Sequence, residues 1–275
     1  MPSALVTGAS TGIGRATALR LAAGGWEVLA GVRGETAGEA LVEAAPAGRL
    51  RALMLDVTDP AQIAAAAAEM PERGLDALVN NAGIGIGGPL ELIPLEDLRH
   101  QFDVNVFGQV AVTKAMLPAL RRARGRILFI SSIGGRVPMA FTAPYAASKH
   151  AIEAFGDTLR VELHNSGVQV ALIEPGSIAT PIWDKSRDEA EKLTIPPELQ
   201  EHYGHVPAAI DKVLEETSSR GIPPEKVAET IERALRAQRM RARYLVGIDA
   251  RAMVAARTLL PSRVFDRIVL RRLGA

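Results

Sequence analysis

Short apolar runs alternate along the chain with longer stretches in which apolar positions recur at helical spacing. The apolar runs predict seven strands, at residues 4–7, 27–30, 50–55, 75–79, 126–131, 169–173 and 244–246. The helical stretches follow Gly12, Glu35, Pro60, Pro94, Pro144 and Pro224. This alternation predicts one α/β domain over residues 1–275. It is a doubly wound parallel sheet with helices on both faces and a ligand crevice at the carboxyl ends of its strands.

Residues 181–221 break this pattern with the polar run DKSRDEAEK and two turns bounded by proline. A long connection at the rim of a ligand crevice is usually a lid or a solvated loop. We expect an inserted substrate lid here.

Composition narrows the class of protein. The core must be built mainly from Ala, Val, Leu and Ile, because hydrophobic residues make up 48% of the chain and aromatic residues only 4%. A formal charge of +1 argues against a nucleic-acid binder that neutralises many phosphates. The chain has no cysteine, which excludes disulfides and thiolate catalysis. It enters its first strand without an export signal and has no apolar run of about 18 residues, so we expect a cytoplasmic protein.

A glycine-rich turn, TGASTGIG, follows the first predicted strand and opens the first helix. In that position backbone N–H groups can cradle a pyrophosphate. Gly8 would permit the tight turn, Gly12 the approach of the ligand, and Gly14 close packing of helix on strand. Taken alone, the pattern fits an ordinary strand-to-helix turn equally well. NNAG, from Asn80 to Gly83, ends the fourth strand, where asparagines also serve as turn formers.

Tyr145 and Lys149 are four residues apart, and Tyr145 is thirteen residues after Ser132. In a helix this spacing puts the phenol and the ammonium on one face, about 5–6 Å apart at Cβ. A cation at roughly 4 Å would lower the pKa of the phenol by up to about three units. The pair therefore predicts a proton donor and the group that tunes it.

Together these motifs resemble the classical short-chain dehydrogenase/reductase family, which has a Rossmann-like fold. The match comprises TGASTGIG, NNAG, Asn105 in FDVNVFG, Ser132, the Tyr145–Lys149 pair, and Pro175–Gly176, in the family's order over residues 3 to 180. The general likeness is to hydroxysteroid and retinol dehydrogenase-like members.

The resemblance implies a role for each matched residue. Tyr145 would exchange a proton with the substrate oxygen, and Lys149 would lower the pKa of Tyr145 and hold the nicotinamide ribose. Ser132 would hydrogen-bond the substrate oxygen, although Ser131 is a rival for that role. Asn105 would hold a water that connects Lys149 to solvent. The remaining dinucleotide contacts would come from Gly8, Ser10, Thr11, Gly12, Ile13, Gly14, Arg33, Asp56, Val57, Asn81, Ala82, Gly83, Pro175, Gly176, Ile178 and Thr180.

The end of the second strand bears on the choice of dinucleotide. Members that use NAD carry an acid there, whereas this chain has Gly31, Val32 and Arg33. A guanidinium attracts a 2′-phosphate, so NADP(H) is favoured, with NAD(H) as the alternative. Thr11 is neutral where many NADP-dependent members carry a basic residue. Arg15 either compensates for it or is a solvated helix residue.

Three further features leave alternatives open. Asp56 matches an adenine contact of the family, and it also either begins an Asx turn or caps the next helix, a role that is compatible with that contact. His202 and His205 either line the substrate mouth or lie on the surface, and no histidine has the spacing of a metal ligand, so no metal is expected. The tail at 249–275 mixes arginines with apolar residues at helical spacing. It predicts core or subunit contact in a homodimer or homotetramer, with contact to an anionic membrane surface as the less favoured alternative.

The sequence thus predicts an NADP(H)-dependent enzyme that interconverts a secondary alcohol and a ketone, with a lipophilic small-molecule substrate. A β-ketoacyl thioester reductase is the enzymatic alternative. A dinucleotide-sensing or scaffold protein without activity is the alternative of another class, which an intact set of Ser132, Tyr145 and Lys149 disfavours. A sugar-nucleotide epimerase shares the tyrosine–lysine spacing but differs in its glycine turn.

Overall fold

All seven predicted strands are present in the computed structural model, which describes residues 1–180, 195–211, 215 and 221–273. The strands are β1 Ser3–Val6, β2 Glu27–Val32, β3 Leu50–Met54, β4 Ala77–Asn80, β5 Arg126–Ile130, β6 Gln169–Pro175 and β7 Arg243–Val246. They form one parallel sheet in the order β3-β2-β1-β4-β5-β6-β7. The order reverses between β1 and β4, and that junction is where open α/β sheets form their ligand crevice.

Helices cover both faces of the sheet. They are α1 Gly12–Ala23, α2 Glu35–Glu43, α3 Pro60–Ala68, α4 Leu95–Phe102, α5 Gln109–Ala123, α6 Ala143–Glu162, α7 Pro224–Arg236, α8 Ile248–Leu259 and α9 Ser262–Leu273. The side chains of successive strand residues alternate between the faces. In β1, Ala4 and Val6 pack in the core under α1 and α7, whereas Leu5 packs in the core under α3, α5 and α6.

The helix predicted after Pro94 differs from its expected form. α4 runs into a π-helical segment, Asp103–Gly108, which runs directly into α5. A widened turn of this kind changes the direction in which its side chains point, and such turns are common at functional sites. Asn105 lies in this segment.

The C-terminal tail forms two helices, α8 and α9, that pack on the chain's own domain. Phe265 is buried against Val254 of α8 and Val137, in a small cluster that also contacts Ile133. One face of the tail is therefore part of the core. Other apolar side chains of these helices are exposed, Leu259 at 80% and Ile268 at 48%.

Most of the predicted lid, at 181–194, 212–214 and 216–220, lies outside the described residues, so the lid stays a prediction. The described part includes a helical turn, Gln200–Tyr203. The Tyr203 hydroxyl donates a hydrogen bond of 2.8 Å to Glu91 Oε2, which ties this turn to the segment after β4. No helix in the described part of the chain is long and apolar enough to cross a membrane.

Candidate active site

A cavity of about 540 Å³ opens at the carboxyl ends of the strands. Most of the predicted site residues line it: Gly8, Ser10, Thr11, Gly12, Ile13, Arg33, Asp56, Val57, Asn81, Ala82, Gly83, Ser132, Tyr145, Lys149, Pro175, Gly176, Ile178 and Thr180. Gly14 and Asn105 are the two predicted residues that do not border it. Both are buried and support the wall from behind.

The glycine turn is locked to the end of β4 by hydrogen bonds. Asn81 Nδ2 donates to the carbonyls of Thr7, at 2.9 Å, and Gly8, at 3.1 Å. Thr7 Oγ1 in return accepts from the backbone N–H groups of Asn81 and Ala82, both at 3.0 Å. A Cβ on Gly14 would lie 2.2 Å from the Gly8 carbonyl oxygen, so only glycine fits there. Thr7 was not among the predicted residues, although it is the first residue of the glycine-rich motif and directly precedes Gly8.

Three buried amides hold the loop that follows Asn81. Gln101 Nε2 donates to the Ile84 carbonyl at 2.8 Å, and its Oε1 accepts from the Ile86 N–H at 2.7 Å. Asn105 accepts from the Ile84 N–H at 2.8 Å and donates to the Ile84 carbonyl at 2.9 Å. Gln109 Nε2 donates to the Ala82 carbonyl at 2.8 Å. The structure therefore assigns Asn105 a direct supporting contact, and its expected role in holding a water stays a prediction.

Ser132 and Tyr145 meet at the cavity wall. Ser132 begins a short 3₁₀ turn, Ile133–Gly135, and its Oγ accepts from the Gly134 N–H at 3.1 Å. Burial raises the pKa of Tyr145, and the hydrogen bond from Ser132 offsets only part of this effect. Ser131, the rival candidate, also borders the cavity, but its buried Oγ makes no hydrogen bond among the described residues. The contact with Tyr145 favours Ser132.

Lys149 is 4% exposed, and its Nζ donates to the Ile130 carbonyl at 2.8 Å. The same Nζ lies 5.7 Å from the centroid of the Tyr145 ring. Burial lowers the pKa of Lys149 to about 8, against the opposing charge of Glu153. The expected lowering of the Tyr145 pKa is therefore not present in this structure. Burial sets the direction of the shift, and the ammonium is directed at a carbonyl.

Arg33 and His100 lie near Asp56 at one end of the cavity. Asp56 Oδ1 accepts from the Thr58 N–H at 2.9 Å and from the Thr58 hydroxyl at 2.7 Å, which makes an Asx turn. The alternative of a helix cap is wrong, because Asp59 caps α3. Burial raises the pKa of Asp56, but the bonds from Thr58 and the charges of Arg33 and His100 lower it by more.

Asp249, at the start of α8, holds the loop after β6. Its Oδ2 accepts from the Ser177 N–H at 2.7 Å, and a Cβ on Gly176 would lie 2.3 Å from that oxygen. A side chain at residue 176 would therefore displace the Asp249 carboxylate. His202, Tyr203 and His205 are absent from the described cavity wall. Within the described residues, no group of three potential ligands could hold a metal ion.

These residues fit a dinucleotide. The N-terminus of α1 borders the cavity through Gly12 and Ile13, and the Thr11 side chain makes no cap hydrogen bond there. Gly8 and Gly12 take positive φ angles of 63° and 55°, which leave the backbone of the turn open to an anion.

Comparison with known proteins agrees with this geometry. The sequence model of a family described as short chain dehydrogenase matches residues 2–191. An NADPH-dependent 3-dehydrocapnine reductase of Ornithobacterium rhinotracheale is 37% identical over 277 residues, covering 98% of this chain and 96% of the relative. Retinol dehydrogenase 5 of Mus musculus is 37% identical over 278 residues, covering 96% of this chain and 86% of the relative.

A solved structure has the same architecture. A short-chain dehydrogenase/reductase of Burkholderia phymatum, in complex with NAD, superposes with a TM-score of 0.80 at 26% identity, covering 97% of this chain and 95% of that one.

Proposed function

The chain belongs to the short-chain dehydrogenase family, and we propose that it uses NADP(H) to interconvert a lipophilic secondary alcohol and its ketone. It is an NAD(P)-dependent oxidoreductase that acts on alcohol and carbonyl groups. The observation that carries the proposal is the contact between Ser132 and Tyr145 beside Lys149, on the wall of a cavity that also contains the glycine turn. A protein that only bound a dinucleotide would need no such proton donor.

A bound nicotinamide would supply or accept the hydride at its C4 atom. The chain's own residues move the proton. In reduction, Tyr145 would donate its hydroxyl proton to the substrate oxygen, while Ser132 would hydrogen-bond that oxygen as charge develops on it. Lys149 would turn from the Ile130 carbonyl toward the ribose hydroxyls and place its charge nearer the phenol.

Two observations support the finer parts of the proposal. Arg33, exposed at the end of β2, is a cation suited to a 2′-phosphate, and the Ornithobacterium relative is described as NADPH-dependent. Ile84, Ile86 and Val104 give the same cavity an apolar wall, and another relative is described as a retinol dehydrogenase. For assembly, the exposed apolar residues of α8 and α9 support a subunit contact in a homo-oligomer.

Turnover of steroid, retinoid, short-chain ketone and acyl thioester substrates with NADPH and NADH tests the proposal. Preference for an acyl thioester would favour a β-ketoacyl thioester reductase instead. Tyr145→Phe keeps the ring and removes the hydroxyl, so turnover should fall by at least about 10²-fold while dinucleotide affinity stays within a few-fold. Near-normal turnover of the folded variant would refute the assigned proton donor.

A further inference from the structure

A chain of charged side chains, of which Glu153 and Glu174 are buried, lies behind the catalytic pair. Glu153 follows Lys149 by one helical turn on α6, and it is 6% exposed. Arg243, the first residue of β7, places its Nε 3.0 Å from Glu153 Oε2 and 3.0 Å from Glu174 Oε1. The Nη2 atom of Arg243 lies 2.6 Å from Asp157 Oδ2. One guanidinium therefore holds three carboxylates.

The network connects the elements that carry the site. Glu174 is buried in β6 immediately before Pro175, and Arg136 Nη1 lies 3.6 Å from Glu174 Oε2. Arg136 directly follows the 3₁₀ turn that begins after Ser132. Negative and positive groups thus alternate from the Ser132 turn, through β6 and β7, to the helix of Tyr145 and Lys149.

Lys149 needs a counter-charge that its direct contacts do not supply. Its ammonium is nearly buried and donates to one carbonyl, and the structure shows no ion pair to it among the residues described. A buried ammonium without an opposite charge is costly, and it tends to lose its proton. The Glu153 carboxylate raises the pKa of Lys149 against the larger lowering by burial. Glu153 Oε1 makes no hydrogen bond within the described residues, so one oxygen is not committed to Arg243.

We propose that Glu153 is a positioning residue that keeps Lys149 charged, and that Arg243 holds Glu153 in place for this role. The inference rests on the proposed function, in which Lys149 serves the dinucleotide and the proton donor. Among the described residues, the charged groups that face Glu153 are Lys149 and Asp157 on α6, Glu174 on β6 and Arg243 on β7, and Arg136 acts on it through Glu174.

The test is the pH dependence of NADPH binding, which is measured by dinucleotide fluorescence from pH 6 to 9.5. The pH dependence of kcat/KM is measured over the same range. In the unchanged protein, affinity should fall as Lys149 loses its proton, near its pKa of about 8. Glu153→Gln should move this midpoint to lower pH by roughly 0.5–1 unit, because the nearby negative charge is gone. Glu153→Asp keeps the charge but withdraws it, so its shift should be smaller and in the same direction.

Asp157→Asn is the matched control. Asp157 is on the same helix and binds the same arginine, but it is two turns from Lys149, so the midpoint should not move. An unshifted midpoint in every folded Glu153 variant would overturn the inference, as would an equal shift in Asp157→Asn. Failure of the unchanged protein to bind NADPH or NADH at any pH would instead overturn the proposed function. Should Glu153→Gln not fold, Glu153→Asp against the control decides the matter.

Discussion

Replacing Arg33 with glutamine should remove most of the preference for NADPH over NADH. Arg33 follows β2 directly, is exposed, and borders the same cavity as the glycine turn. A hydrogen bond between a charged donor and acceptor contributes about 1.5–3 kcal/mol net. One such bond to a 2′-phosphate corresponds to roughly ten- to a hundred-fold in kcat/KM, since about 1.4 kcal/mol is a factor of ten.

The surroundings of Arg33 place the expected effect at the lower end of this range. Asp56 lines the same cavity and interacts with Arg33, whose positive charge contributes to the low pKa of Asp56. That carboxylate attracts the guanidinium and opposes a bound phosphate. Because Arg33 is exposed, salt should also screen its contact with the phosphate. We therefore expect a preference of about tenfold at low ionic strength, and a smaller one at high ionic strength.

The assay is kcat/KM for both dinucleotides at two ionic strengths, with Arg15→Gln as the control. Arg15 is also exposed, but it does not border the described cavity, so its loss should leave the ratio unchanged. An unchanged protein that prefers NADH, or an Arg33→Gln variant that keeps the full NADPH preference, would show that Arg33 does not bind the phosphate.

Reversing the preference needs more than this change. A carboxylate at residue 31 could accept hydrogen bonds from a ribose, but a Cβ on Gly31 would lie 3.0 Å from Leu55 Cδ2. Leu55 would have to move, so Gly31→Asp should lower stability while it improves the use of NADH.

Three further predictions concern the support of the site and the tail. Gln101→Met should leave the Ile86 N–H without its partner, lower the free energy of unfolding by about 1–3 kcal/mol, and raise the dinucleotide KM more than it lowers kcat. Urea unfolding and steady-state kinetics measure both effects, and an unaltered KM would contradict the assigned role. Burial is the main cause that raises the pKa of Glu174 from 4.5 to about 7, and the charge of Glu153 is the next. The folded protein therefore holds this proton more tightly than the unfolded chain does. The resulting contribution to the free energy of unfolding is complete below pH 4.5 and is lost as the pH rises through 7. In urea unfolding from pH 4 to 8, Glu174→Gln should lack this decline, and an equally steep decline in the variant would refute the assignment. Ile268 is 48% exposed, so Ile268→Glu should dissociate an oligomer measured by light scattering if the exposed surface of α9 is a subunit contact. Lost binding to anionic vesicles, with the oligomer intact, would favour the membrane alternative.

The sequence predicts those parts of the molecule that depend on local pattern. Buried parallel strands are nearly continuous apolar runs, and all seven were located, with boundaries that differ by up to two residues at either end. The cavity wall follows from motifs at strand ends, because the carboxyl ends of neighbouring parallel strands meet at one edge. The register of β1 with β4, which pairs Val6 with Val79, places Gly8 beside Asn81.

Hydrogen bonds and ion pairs between residues that lie far apart in the sequence were not predicted. The sequence shows an amide at every fourth residue, at Gln101, Asn105 and Gln109. Their partners, however, are backbone groups of a loop that no sequence pattern identifies. Asp249 contacts Ser177 across 72 residues, and Arg243 contacts Glu153 across 90. Such contacts depend on the tertiary position of β7 and α8, which residue spacing does not encode.

The pKa of Tyr145 is raised by burial where the spacing to Lys149 predicts a lowered one, and the cause lies in the position of the ammonium. Helical spacing put Lys149 on the same face as Tyr145, and the structure agrees, with the ammonium 5.7 Å from the ring centroid. The expectation of a lowered pKa assumed that the cation would be free to approach the phenol. Instead, the Ile130 carbonyl holds the ammonium, while burial acts on both groups and favours their neutral forms. The structure therefore places Tyr145 as the acid, but the nearby ammonium does not lower the pKa of its phenol. A ligand that drew the ammonium from the carbonyl would strengthen the effect of its charge on the phenol, so we expect proton transfer to be coupled to occupancy of the cavity.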